Sequence, residues 1–158
     1  MEFARIDMGF KPLFVGDDKL LPRFNATFGP ILKAAEDRNV KMVIENHYGP
    51  SSDVGFLLKV KEEFTSPNCG ILLDFGNFKP KSDVYDAILG LKDAILICHA
   101  KAYAFDEAGE ETTLDYKRII DNLESVGFDG WYSIEFEGKG DGLVGTRKTL
   151  DLLRKYLL

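Results

Sequence analysis

Five short apolar runs, each followed by a stretch of helical period, set what this chain can fold into. The runs lie at 3–8, 42–45, 71–74, 94–98 and 131–136, and the helical stretches at 23–38, 53–64, 84–89, 114–126 and 143–156. Spacing predicts the helices. Val54, Leu57, Leu58 and Phe64 recur on one side of theirs, as do Leu114, Ile119, Ile120, Leu123 and Val126 on another. Leu143, Leu150, Leu153 and Leu157 give the last helix its buried stripe. Thr112 or Thr113 is placed to cap the fourth helix, and Gly127 to stop it. Strand–helix alternation implies parallel strands joined by right-handed crossovers. Runs such as GILLD and AILIC suit strands buried on both faces. The expectation is an α/β fold, five parallel strands alternating with five helices, in a single domain over 1–158. The strand count alone allows an open sheet or a barrel.

Composition narrows the partners. The 158 residues are 45% hydrophobic and 29% charged, enough chain for one core and ordinary for a folded protein. A net charge of −6 argues against nucleic-acid binding, which needs a basic footprint. No apolar run nears the ~20 residues that span a bilayer, so no membrane partner is expected. The N-terminal MEFARIDMGF is charged early and lacks a signal-peptide core, which predicts a cytoplasmic protein. Cys69 and Cys98 form no CxxC motif and sit in apolar runs, as buried free thiols do. With only His47 and His99 as imidazoles, any metal site must draw on carboxylates.

Those carboxylates stand at the strand ends. IENHYG carries Glu45, LLDFGN carries Asp74, ICHAK carries His99 and YSIEFEG carries Glu135. Each follows apolar residues of its own strand and so falls at the carboxyl end, where parallel α/β folds place their sites. The period of two turns Ile44, Leu73, Cys98 and Ile134 toward the helices and the four polar side chains to the other face. Three converging carboxylates repel one another strongly unless a cation lies between them. Three oxygens and one imidazole suit one divalent ion, Mn²⁺, Mg²⁺, Co²⁺ or Zn²⁺.

The stretches VIENHYG, LLDFGNF, ICHAKAYAFDEAGEE, LDYKRIIDNLESVGFDGWYSIEFEG and GTRKTLDLLRKYL resemble the xylose isomerase-like TIM barrels, the sugar phosphate isomerases and epimerases. In that family a Glu, an Asp, a His and a final Glu close successive strands around one metal. The spacings here are 29 (45 to 74), 25 (74 to 99) and 36 (99 to 135), in the same order. The resemblance covers only the C-terminal part of the barrel, ARIDMG corresponding to its fourth strand and residues 131–136 to its eighth. Length agrees, since a whole barrel takes ~250 residues. The fold implied is a partial (β/α)8 barrel.

The resemblance implies a metal-dependent isomerase or epimerase acting on a sugar or sugar phosphate through an enediolate. Glu45 and Glu135 would exchange the proton, and Glu45, Asp74, His99 and Glu135 would hold the metal. His47, Lys101 and Asn77 would contact substrate. Asn77 stands where many sugar epimerases carry a His, and Phe105 where some carry an Arg. Glu137 faces as Glu135 does and is expected to hydrogen-bond a ligand residue or Lys101. Arg5 and Asp7 are expected to pair with each other or to floor the pocket, the pairing being favoured. An alternative is a catalytically impaired metal-binding or assembly remnant of that barrel. Apurinic-site endonucleases, which share the fold, are a remote alternative. Their three-zinc cluster needs more histidines than two, and the chain's acidity opposes DNA. Two unpaired sheet edges and uncovered apolar surface predict self-association as a homodimer.

Overall fold

The computed structural model describes residues 2–9 and 17–158. Met1 and residues 10–16, part of the span expected to be one domain, lie outside it. Strands β1 (Glu2–Ile6), β2 (Val40–Glu45), β3 (Cys69–Asp74), β4 (Ile95–Ala102) and β5 (Trp131–Phe136) form one sheet whose spatial order is the chain order. Every neighbouring pair is parallel. Helices α1 (Asp17–Glu36), α2 (Val54–Glu63), α3 (Asp83–Leu91), α4 (Tyr116–Ser125) and α5 (Gly142–Leu157) each follow one strand. A 3₁₀ turn at Gly49–Ser52 leads into α2. The result is a half-barrel of five strands with helices on its outer face, as expected.

Facing follows the predicted alternation around the site. Ile44, Leu73 and Cys98 are fully buried in the core, and Ile134 packs against it. Opposite them are Phe56 and Leu57 of α2, Ile88 of α3, and Ile119 and Leu123 of α4. Removing such side chains from water stabilises the fold by about 1.5–3 kcal/mol each. Between Ile71 and Leu72 the register of β3 on β4 shifts, so that Ile71 pairs with Ile95 but Leu72 with Ile97. Leu96 is the extra residue, and it lies over Gly70, where a Cβ would stand 2.3 Å from the Leu96 side chain.

Several elements depart from expectation, among them α5, whose Leu143 is exposed rather than part of the buried stripe. β1 ends at Ile6, leaving Met8 beyond it. α1 begins at Asp17 rather than at 23, with Pro22 and Pro30 inside it. Proline normally ends a helix, but here an aromatic cluster holds α1 down. Phe24 stacks on Phe28 at 4.9 Å, and Phe64, just past α2, sets its edge against both rings. α4 is capped by Asp115, which accepts from the Arg118 N–H at 3.0 Å, not by Thr112 or Thr113. Those threonines are held before the helix. The Glu111 carboxylate takes the Thr113 and Leu114 N–H groups, and the Thr112 N–H donates to the Ala104 carbonyl. Gly127, at φ +74°, does stop α4, with the Phe128 N–H returning to the Leu123 carbonyl at 2.9 Å. Finally, β4 continues to Ala102 instead of ending at 98, because β5 pairs with it as far as Ala102 and Phe136. His99 is therefore mid-strand, and Glu135 is the penultimate residue of β5. Among the described residues no helix is long and apolar enough to cross a membrane.

Candidate metal centre

Glu45 and Asp74 close β2 and β3, and register places Asp74 directly beside His99 on β4. Lys101, two residues on, is beside Glu135 of β5. Glu45, Asp74, His99 and Glu135 each bring one donor atom to a common point, all within 4.8 Å of one another. His99 Nδ1 is the centre of the group. It lies 3.1 Å from Glu45 Oε1, 3.2 Å from Glu135 Oε1 and 3.7 Å from Asp74 Oδ2. Glu45, Asp74 and His99 are buried, and Glu135 is partly open.

Neighbours fix the carboxylates. Arg5 of β1 donates from Nη1 to Glu45 Oε2 at 2.5 Å. Lys101 Nζ lies 2.6 Å from Glu135 Oε2, 2.8 Å from Glu137 Oε1 and 3.2 Å from Asp74 Oδ2. Asp74 Oδ1 accepts from the Gly76 N–H at 2.8 Å. Asn46, fully buried, braces the strand end. Its Oδ1 accepts from the Asp74 N–H at 2.6 Å, and its Nδ2 donates to the Asp74 carbonyl at 3.0 Å.

The electrostatics follow from this crowding. Burial alone would lower the His99 pKa, but the Asp74, Glu45 and Glu135 carboxylates outweigh it and raise it to about 9. Burial likewise pulls Lys101 down, and its Glu135, Glu137 and Asp74 partners carry it above its ordinary value. Glu45 is pushed up by burial, yet the His99 hydrogen bond and the Arg5 charge leave it below the usual range. Asp74 Oδ2 is buried and makes no hydrogen bond. The cation nearest this oxygen is Lys101 Nζ at 3.2 Å, which is shared with Glu135 and Glu137 and so compensates it only in part. Together with the donor set, this fits a divalent ion held by Glu45, Asp74, His99 and Glu135.

The remaining candidates are distributed unevenly. His47 Nδ1 is 2.9 Å from Asp7 Oδ2, and its ring meets Tyr48 edge-on at 4.0 Å. Arg5 and Asp7 therefore do not pair with each other. They lie two residues apart on one side of the edge chain, and each takes a partner from the β2 segment. Lys101 is 1% exposed and surrounded by carboxylates. Glu137 bonds Lys101, as expected. Asn77 is half-buried in the loop after β3, with its Nδ2 lacking a hydrogen bond. Phe105 stacks on Phe136 at 6.2 Å, with the Lys148 ammonium near its ring, outside the cluster. Sequence reasoning missed Asn46 and the grip of Arg5 on Glu45. The only available signal for Arg5 was its inward facing, shared with Phe3.

A half-barrel of parallel strands, each followed by a helix and gathering three carboxylates and an imidazole on its inner face, places the chain in the class of the (β/α)8 barrels. Residues 13–156 match the xylose isomerase-like TIM barrel family, and the chain belongs to it. An uncharacterised protein of Methanocaldococcus jannaschii is 25% identical over 143 residues, covering 84% of this chain and 47% of that protein. The chain thus spans about half the length of that curated relative. Among solved structures, a D-tagatose 3-epimerase-like protein superposes with a TM-score of 0.77 at 22% identity, covering 99% of this chain and 62% of the other. A D-allulose 3-epimerase from Methylomonas sp. gives 0.78 at 13% identity, covering 97% and 63%.

Proposed function

We propose that this chain carries the metal-binding part of a sugar isomerase or epimerase site. In this reading Glu45, Asp74, His99 and Glu135 hold one divalent ion, Mn²⁺, Mg²⁺, Co²⁺ or Zn²⁺, and Glu45 and Glu135 transfer the proton. The observation that carries it is the convergence of four donor atoms within 4.8 Å. Charge supports it. Four carboxylates, Glu137 included, meet two fixed cations, Arg5 and Lys101. With His99 neutral, a divalent ion cancels what remains. The names of the epimerases that share the fold point the same way.

When bound, the ion polarises a carbonyl and a neighbouring hydroxyl of the sugar. The chain's own groups do the rest. Glu45 reaches the centre from β2 and Glu135 from β5, with β3 and β4 between them. A ketose over the cluster meets a carboxylate at each flank. One removes the proton from the carbon beside the carbonyl, and the electron pair stays on the substrate as an enediolate. The other returns a proton to the adjacent carbon or the opposite face. His47 and Asn77 are assigned to substrate hydroxyl or phosphate contacts, whereas Lys101, 1% exposed among three carboxylates, is taken out of that role. The enzyme is read as a cytoplasmic single domain that works as a homodimer.

A second reading, a catalytically impaired remnant, is favoured by the open inner face. Trp131, which pairs in register with Ile97, is 71% exposed. Turnover of a panel of ketoses and ketose phosphates, with and without Mn²⁺, decides between the two. Metal-dependent conversion supports the enzyme. Tight Mn²⁺ binding without conversion of any panel member supports the remnant. No metal binding overturns both.

A further inference from the structure

Each carboxylate of the cluster divides its two oxygens between two tasks. Glu45 turns Oε1 toward His99 Nδ1 at 3.1 Å and gives Oε2 to Arg5 at 2.5 Å. Glu135 turns Oε1 toward the same nitrogen at 3.2 Å and gives Oε2 to Lys101 at 2.6 Å. Asp74 gives Oδ1 to the Gly76 N–H and leaves Oδ2 facing inward, where the nearest cation is Lys101 at 3.2 Å. The two glutamates are held in matching fashion. Arg5 stands on β1, the neighbour of Glu45's strand, and Lys101 on β4, the neighbour of Glu135's.

We propose that Arg5 and Lys101 are positioning residues that restrict Glu45 and Glu135 to one oxygen each toward the ion, so that its other positions stay open to substrate. The inference rests on the metal-centre reading above and adds a role that the reading does not need. A carboxylate free to rotate can grip a divalent ion through both oxygens. An oxygen already in a charge-assisted hydrogen bond of this length is withheld from that grip, while its second lone pair stays open to a substrate proton. The consequence is a matter of vacancies. An ion of about six positions with four protein donors keeps about two for other oxygens. A sugar needs both if its carbonyl and adjacent hydroxyl are to bind together. One glutamate slipping to a two-oxygen grip removes one of them. Burial makes Lys101 the firmer holder, since its side chain is 1% exposed and that of Arg5 is 48% exposed.

The test loads the protein with Mn²⁺ alone and counts exchangeable water on the ion by water-proton relaxation, while free Mn²⁺ is followed by its electron spin resonance. Wild type is expected to bind one ion with about two exchangeable waters. Lys101→Met is expected to bind one ion still, with the relaxation enhancement per bound ion falling by about half. Lys101→Arg, which keeps a cation at Glu135, is expected to restore most of it. A merely structural lysine would change thermal stability without changing the water count of the loaded protein. Equal relaxation in wild type, Lys101→Met and Arg5→Met, all with Mn²⁺ bound, overturns the proposal. If Lys101→Met does not fold, Arg5→Met at its half-exposed position decides alone by the same readout. No Mn²⁺ binding by wild type overturns the metal-centre reading, and this inference with it.

Discussion

Glu135→Gln keeps the shape of the side chain and one oxygen donor but cannot carry a proton. Turnover is expected to fall by roughly 10²–10⁴-fold, the usual contribution of a positioned acid–base group, with Mn²⁺ binding retained but weaker. Steady-state kinetics beside titration calorimetry measures both, and full activity would remove Glu135 from the proton path. Asn46→Ala strips two Asp74 backbone groups of their buried partner. It should cost about 1–3 kcal/mol in urea unfolding. The thiols are expected to be inert. Burial disfavours the thiolate, pushing Cys69 to about 11 and, with the Asp74 charge, Cys98 well above its ordinary value. A thiol reagent at pH 8 should therefore label neither residue until the chain unfolds, and Cys69 should gain reactivity only as the pH approaches its raised pKa. At this scale the four cluster residues were legible because each is an isolated polar group with inward facing after an apolar run. Asn46 was not, because it follows Glu45 with the opposite facing and reads as the first residue of a turn.

Between elements, the legible part was local alternation and the illegible part was phase. Ile95, Cys98 and Ala100 all lie in the helix-side core. A regular strand cannot turn residues 95 and 98 to the same side. The extra residue Leu96 resolves this, and without that change of phase Ile95 and His99 would share a face. Nothing in the AILIC run announces it. The caps were hidden for a different reason. Thr112 and Thr113 are good capping types, but they are drawn into a loop that closes as an isolated bridge between Phe105 and Glu111. Helix α5 gives a test of packing. A Cβ on Gly145 would stand 2.2 Å from the Phe136 ring. Gly145→Ala should therefore destabilise by about 1–3 kcal/mol despite alanine's better helix propensity, read as a lower thermal midpoint. A midpoint at or above wild type would mean that β5 and α5 are not packed as described.

Over the whole molecule, β1 and β5 are the edges of the described sheet, each paired on one side only. Trp131, on the edge strand β5, is the chain's single tryptophan and is largely exposed. Self-association through the open side should therefore be visible in its fluorescence. Emission is expected to shift to shorter wavelength between nanomolar and micromolar concentration, in step with a dimer in sedimentation velocity. A monomer throughout, with constant emission, would reject the homodimer. The general architecture was legible from strand and helix order, while the extent of the barrel was legible only through the family resemblance, with which the length agrees. The same order bears on how the chain is made. Every strand pairs with the one synthesised just before it, so no strand must wait for a distant partner. As the chain leaves the ribosome, each strand and its helix can dock on a ready surface. Glu45, Asp74 and His99 meet once β4 is in place, but Lys101 then lacks Glu135 and Glu137 until β5 arrives. The group of four donor atoms is thus complete only when the fifth strand has joined the sheet.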